Sequence, residues 1–296
     1  MLKRTLFFGS PYRLSLKYDQ LVAEPKNGGE ARTVPVEDIG FVVLDHMQLS
    51  ISLPLVEALM KNNAAVIYCN SKHHPQAMLL NLEAHNTQSE TFRAQLNAGQ
   101  SLRKSLWKQT VTAKIVNQAR LLKIQGESYQ DLLGLAKAVK SGDPENKEGT
   151  AARIYWKRLV DANFVRDRFG EYPNNLLNYG YIVLRAAVAR ALTGSGLLPA
   201  LGIHHRNRYN AYCLADDIME PYRPFLDRLV INMMAKYPDD LILEKEHKGE
   251  LLKVLTTDVH MKKTRRPLML ALSQTTASLA KCFGGERKTI NYPALE

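Results

Sequence analysis

Short runs of β-branched and aromatic residues open the chain. They cover positions 5–8, 12–18, 21–23 and 33–36, and turn residues separate them at Gly9-Ser10-Pro11, Asp19-Gln20 and Pro25-Lys26-Asn27-Gly28-Gly29. Continuous apolar runs at 39–44 and 64–69 predict two further strands. Between them, 52–60 reads as a short helix with Pro54 in its first turn. A polar stretch over 71–89 closes this region, and from Ser89 onward the periodicity is helical. Phe92, Leu96, Leu102, Leu106, Val111, Ile115 and Ala119 recur at helical spacing, with an interruption near Gly99. After the break at Ser141-Gly142-Asp143-Pro144, one helix carries Tyr155, Trp156 and Leu159. Others run through Leu177, Tyr181, Leu184 and Val188, and through Ile218, Tyr222, Phe225, Leu229 and Met233. A polar connection is expected over 238–250, then a helix with Leu251, Val254 and Leu255, and a last helix from Pro267 to about Lys281. The expected fold class is α+β in segregated form: a small β-rich N-terminal domain with its polar linker (1–88) and a larger all-helical C-terminal domain (89–296).

Composition narrows the partners. Apolar residues make up 45% and charged residues 23% of the 296, which excludes a disordered or fibrous chain. The balance of 40 basic to 29 acidic side chains gives a net charge of +11 and calls for a polyanionic partner. Arg93, Arg103, Lys104, Lys108, Lys114, Arg120 and Lys123 stand on one helical stretch opposed by Glu90 alone, the pattern of a phosphate-facing surface. The apolar stretch between Arg190 and His204 is interrupted by Gly194, Gly196, Pro199 and Gly202, and the N-terminal apolar run is too short for a signal peptide. No membrane partner and a cytoplasmic location are therefore expected. The cysteines, at 69, 213 and 282, suggest neither a disulfide framework nor a thiolate metal site.

The common nucleotide signatures are absent. Gly194-Ser195-Gly196 begins like a dinucleotide loop, but Pro199 stands where the third glycine is needed. His204-His205 and Asp216-Asp217 are separate pairs, not the contiguous dyad of a histidine–aspartate phosphohydrolase. What remains is His204-His205-Arg206-Asn207-Arg208, followed by Asp216-Asp217-Ile218-Met219-Glu220. Asp216 and Glu220, or Asp217 and Glu220, share a helix face, where neighbouring carboxylates repel unless a cation relieves them. With a histidine from the preceding loop they make an oxygen-and-imidazole set suited to Mg²⁺ or Mn²⁺. The same residues also read as an acidic helix start set favourably against the helix dipole. Pro221 and Pro224 fix where that helix turns, and Arg206, Arg208 and Arg223 surround the acids. Glu148 opens another helix, followed by the small residues Gly149, Ala151 and Ala152.

Three phrases in order carry a resemblance: Glu-Gly-x-x-Ala-Arg-x-Tyr at 148–155, Gly-Leu-Leu-Pro-x-Leu-Gly-Ile-His-His at 196–205, and Asp-Ile-Met-Glu-Pro-Tyr-Arg-Pro at 217–224. Over nearly its whole length the chain resembles the CRISPR-associated integrase of spacer acquisition, in the branch linked to a single large RNA-guided effector. The resemblance implies that Glu148, His205 and Glu220 are catalytic and bind a divalent metal, Mg²⁺ or Mn²⁺, with Asp217 as a ligand or supporting group. It implies 3′-hydroxyl attack on phosphodiesters of double-stranded DNA, both spacer precursor and repeat target. It further implies a homodimer formed through the β-rich domain and a small ferredoxin-fold adaptation subunit bridging two dimers. Arg103, Lys104, Lys108, Arg153, Arg206 and Arg208 are the expected DNA contacts.

Two other readings use the same residues: a non-catalytic basic architectural DNA binder and a plain metal-dependent nuclease. The last stretch, 284–296, starts with two glycines and carries Arg287-Lys288 and an isolated apolar set. It is expected to be mobile until a partner orders it.

Overall fold

Strand β5 (Ile39–Leu44) has parallel neighbours on both sides and is buried almost throughout, which is why its sequence is continuously apolar and does not alternate. The computed structural model describes residues 3–81, 83, 85–237, 242–262 and 264–296. They divide into two units, 1–86 and 87–296.

In the first unit β1 (Arg4–Phe8), β2 (Tyr12–Lys17), β3 (Gln20–Pro25) and β4 (Arg32–Pro35) precede β5, and β6 (Ser50–Ile51), α1 (Leu53–Lys61), β7 (Ala65–Cys69) and β8 (Pro75–Leu79) follow it. One sheet has the order β1-β5-β7-β8 and the other β4-β3-β2-β6. Phe8, Leu14, Leu21, Ile39, Val42, Leu55, Leu59 and Val66 form their common core. Strand β8 lies inside the stretch expected to be a polar linker. Its residues are mostly exposed or half-buried, so no apolar alternation marked it. Antiparallel pairing with β7 holds it.

The second unit runs α2 (Gln88–Leu96), α3 (Gln100–Ile124), α4 (Gln130–Ala138), α5 (Lys147–Leu159), α6 (Asn174–Gly194), α7 (Cys213–Met219), α8 (Arg223–Lys236), α9 (Lys245–Leu252), β9 (Asp258–Met261), β10 (Thr264–Pro267) and α10 (Leu268–Phe283). Helices α3 and α6 are its buried spine: Leu106, Val111, Ile115 and Leu122 of the one and Leu177, Val183, Leu184 and Val188 of the other are almost wholly enclosed. Pro221 and Pro224 break the expected continuous helix, and a 3₁₀ turn at Glu220–Tyr222 joins α7 to α8.

Two departures correct the expected layout of this unit, and the first overturns its all-helical reading. Strands β9 and β10 form an antiparallel hairpin, Thr264 opposite Met261 and Pro267 opposite Asp258. Its strands are four residues long and rich in Arg and His, too short and polar for a strand pattern. Helix α9 occupies the end of the stretch read as a polar connection, whose residues 238–241 lie outside the described residues.

The expected free tail is also corrected. Leu295 and Ile290 are buried. Ile290 N–H donates to Gln109 Oε1 (2.9 Å), Leu295 N–H donates to Asn117 Oδ1 (3.1 Å), and the Tyr292 hydroxyl bonds Thr110 Oγ1 (2.8 Å). Ala294 pairs with His260 of the hairpin. The tail docks because α3 offers it polar side chains that satisfy its backbone.

Candidate metal and nucleic-acid site

Helix α5 starts where Asp143 stops the preceding loop. Its carboxylate accepts the N–H groups of Lys147 (2.9 Å) and Glu148 (3.0 Å), while Asn146 caps Gly149 N–H (3.0 Å). This fixes Glu148 in the first turn. Glu220 stands on the 3₁₀ turn forced by Pro221 and is 6% exposed. Between the two carboxylates lies the ammonium of Lys114 from α3. It contacts Glu148 Oε1 and sits 2.5 Å from Glu220 Oε2. The ammonium and the Glu220 carboxylate thus form a buried ion pair. Arg223 Nε donates to Glu220 Oε1 at 2.8 Å. Burial works upward on the Glu220 carboxyl, but Arg223 and Lys114 outweigh it and hold the pKa at about 2. Burial likewise opposes the Lys114 charge, and Glu220 and Glu148 overcome it, raising the lysine above its ordinary value.

His205 belongs to the loop before α7, and Asp217, fully buried on α7, organises that loop. One Asp217 oxygen accepts the N–H groups of Ile203 (2.7 Å) and His204 (3.0 Å); the other accepts His205 N–H (3.2 Å) and bonds its ring Nδ1 (2.5 Å). The hydrogen bond to Asp217 raises the His205 pKa, with smaller contributions from Glu220 and Asp216. Gly202 makes the close turn possible: a Cβ there would lie 2.3 Å from His205 O. The His204 ring stacks on Trp107 at 4.1 Å and meets the His205 ring edge-on at 5.3 Å, and burial lowers its pKa.

The structure thus brings Glu148 and Glu220 onto one buried positive charge, while His205 is held by Asp217. Among the described residues no three His, Cys, Asp or Glu side chains converge as a ready metal cage. Asp216 turns away to Arg185 (2.7 Å) and Asn210 (2.7 Å). A cleft of about 450 Å³ opens over Lys114, Glu148 and Glu220, walled by Arg153, Trp156, Phe164, Arg166 and Tyr181.

Of the expected DNA contacts, Lys104, Lys108, Arg153 and Arg206 are exposed. Arg208 lies over the Tyr209 ring, 4.6 Å from its centre. Arg103 is committed to backbone carbonyls, donating to Ala98 O (3.0 Å), Gln95 O (3.2 Å) and Gly202 O (3.4 Å), and so ties the end of α2 to the histidine loop. Lys114, read from the sequence as one more surface cation, is the centre of the site. The available signal was its phase: it falls three residues after Val111, on the stripe that buries Val111, Ile115 and Gln118. Arg166 and the Trp156–Phe164 wall had no signal of this kind, because chain folding alone brings them to the cleft.

The family model described as "CRISPR associated protein Cas1" matches residues 6–254. The chain is 35% identical over 277 residues to a CRISPR-associated endonuclease Cas1 of Neisseria meningitidis, covering 93% of this chain and 90% of the relative. It is 31% identical to one from Pyrobaculum aerophilum, covering 82% and 87%. In fold it matches a casposase bound to integration product with a TM-score of 0.79 at 20% identity, over 98% and 93% of the two chains. It matches a Cas1 protein from Thermotoga maritima at 0.76 and 17% identity, over 99% and 100%. Matched to the family model over 6–254 and to relatives over most of its length, the chain belongs to the Cas1 family of CRISPR-associated proteins.

Proposed function

We propose that this chain is a metal-dependent DNA endonuclease and integrase that inserts short foreign DNA into a CRISPR array. The observation that carries the reading is the pair of carboxylates, from α5 and the 220 turn, drawn to one buried positive charge in a cleft flanked by arginines. Relatives named CRISPR-associated endonuclease support it, as does the likeness to a casposase bound to integration product.

The residues fit a divalent cation. Two carboxylates with an imidazole are a donor set that suits Mg²⁺ or Mn²⁺, and the Lys114 ammonium between the two acids marks where a cation is favoured. Glu148, Glu220 and His205 would hold it. Asp217, bonded to His205 Nδ1, leaves Nε2 as the ligand atom and sets the ring's direction. When bound, such an ion supplies Lewis-acid polarisation of the phosphate and stabilises charge on the attacking and leaving oxygens. The chain's own part is to hold the DNA. Arg153 lines the cleft as a cation for phosphate oxygens, Arg166 is held there by Asn174 (2.8 Å) and Asn178 (2.6 Å) and adds its charge, and Trp156 offers a stacking surface. In the reaction a 3′-hydroxyl oxygen forms a new bond to phosphorus as the bond to the leaving 3′-oxygen breaks. The hydroxyl proton is lost and the leaving oxygen gains one. Water in place of the hydroxyl gives cleavage.

The same reading includes a cytoplasmic homodimer joined through residues 1–86, and a small ferredoxin-fold subunit bridging two dimers. A fold match to a Cas6-RT-Cas1–Cas2 complex, in which this chain covers 36% of the longer chain, supports a Cas protein as partner. It also includes the effector-linked branch suggested by Asp-Ile-Met-Glu-Pro-Tyr-Arg-Pro at 217–224. The test is strand joining of a labelled duplex into a supercoiled repeat plasmid with Mn²⁺. Glu220→Ala and Glu148→Ala should abolish joining and retain DNA binding. Full joining by either variant would sink the reading, and DNA binding by an inactive wild-type chain would favour an architectural binder.

A further inference from the structure

Residues 1–86 carry eight basic and eight acidic side chains, so the whole excess of +11 belongs to the helical unit. Part of it is concentrated where the sequence showed no site: between 258 and 288 there are seven basic and two acidic residues. The β9–β10 register puts Thr264 opposite Met261 and Arg266 opposite Val259, and alternation places these on one face. Met261, Thr264 and Arg266 line a cleft of about 430 Å³ that Lys262, Gln274 of α10 and Asn291 of the docked tail complete. Arg265 and its cross-strand partner His260 take the other face, where His260 Nδ1 meets Glu296 at 2.9 Å.

Among the described residues no carboxylate lines this cleft. Its arginine is braced by a neutral group, Arg266 Nε donating to Thr264 Oγ1 at 3.1 Å, and the lining Asn291 accepts from Arg287 at 2.6 Å. The Arg266 guanidinium keeps further N–H groups for an acceptor. Two cations and two side-chain amides held together form an anion receptor, while the Thr264 hydroxyl, which donates to Met261 O at 3.2 Å, orients Arg266, and the space exceeds that of one inorganic phosphate.

We propose that this cleft grips the sugar-phosphate backbone of duplex DNA, as a second contact that shares no residue with the Lys114–Glu148–Glu220 cleft. Two cations and neutral donors contact non-bridging oxygens without reading bases, so the grip is independent of sequence. The proposal rests on the reading of the chain as a DNA-processing protein.

The experiment is fluorescence anisotropy of the full chain with a labelled duplex across a salt series, comparing wild type with Lys262→Gln/Arg266→Gln and with Arg266→Lys. The double variant should bind every duplex more weakly, and its slope of log affinity against log salt should fall by about 0.9 per lost contact. Arg266→Lys should fall between the two. Thermal melting of each variant separates misfolding from lost contact. Equal affinity and slope in wild type and double variant overturn the proposal and leave the DNA reading standing. If the wild type binds no duplex at all, both fall. A cleft that binds inorganic phosphate by calorimetry, with no change in DNA affinity on substitution, would be a free-anion site and would also overturn it.

Discussion

The ammonium of Lys114 lies 2.5 Å from Glu220 Oε2 while also touching Glu148, so one buried cation bridges the two acids that the family resemblance assigns to metal. With Arg223 on Glu220, the cluster sets two positive charges against two negative ones. It is neutral before any metal arrives.

Lys114→Gln should therefore unbalance it. Breaking a buried pair by removing one partner costs about 3–5 kcal/mol, and that loss should appear in urea unfolding of the EDTA-treated variant. Added Mn²⁺ should return more stability to the variant than to wild type, since the ion would then meet no competing ammonium. Equal Mn²⁺ stabilisation of both proteins would count against a metal at Glu148 and Glu220.

Asp217→Asn should loosen the histidine loop. The carboxylate accepts three backbone N–H groups besides the His205 ring, and hydrogen bonds to a charged group contribute about 1.5–3 kcal/mol each. The amide keeps only part of that capacity, so a stability loss of about 2–4 kcal/mol is expected. Faster amide exchange at Ile203 and His204 than in wild type would localise the effect, and unchanged exchange there would refute it.

Asp227 supplies a pH dependence. Burial pushes its carboxyl up to about 6, even though the hydroxyls of Tyr181 (2.5 Å) and Tyr155 (2.7 Å) and the charges of Arg223 and Arg166 pull the other way. Between its unfolded value near 4 and its folded value near 6, the folded chain holds a proton that the unfolded chain has lost. Stability should fall as pH rises through that window, by up to about 3 kcal/mol. Glu220 acts with the opposite sign and lower down: its folded value of about 2 makes its contribution full above its unfolded value and lost as pH falls towards 2. Asp227→Asn should flatten the stability profile between pH 4 and 6, and an unchanged slope in urea midpoints would contradict the assignment.

The tail should be protected in the isolated chain. Amide exchange at Ile290 and Leu295, which donate to Gln109 and Asn117, should be slow without DNA or any partner. Deleting 290–296 should speed exchange around Pro221 as well, since Asn117 Nδ2 holds both Pro221 O (2.8 Å) and Pro293 O (3.1 Å).

Self-association is expected to reside in residues 1–86. On the proposed homodimer, the full chain should sediment as a dimer and a chain starting at Thr87 as a monomer. Undiminished dimerisation would move the interface to the helical unit.

Much of the architecture was legible where burial is one-sided or complete. The apolar runs of β5 and β7 and the period through Leu177, Tyr181, Leu184 and Val188 report their surroundings directly. Strand β8 and the β9–β10 hairpin were not, because their exposed positions carry polar residues and pairing alone holds them. The tail misled for a related reason: Ile290 and Leu295 look isolated in sequence, and their receptor lies on α3, nearly two hundred residues earlier. At the site, the ordered phrases pointed to Glu148, His205, Asp217 and Glu220. They were silent about Lys114, whose charge argued for the surface while its helical phase argued for the interior.

Gly202 sets how much variation the histidine loop can bear. A Cβ at that position meets His205 O at 2.3 Å and Asp217 Oδ2 at 2.9 Å, a backbone oxygen and a fully buried carboxylate that cannot swing aside. Every one of the nineteen replacements begins with that same atom, so their size and polarity hardly matter. A saturation library at 202 should read as a single cliff, while His204, exposed beside it, should grade smoothly with side-chain character. The steric intolerance of the loop thus falls on one backbone position, apart from the burial of Ile203 and the role proposed for His205.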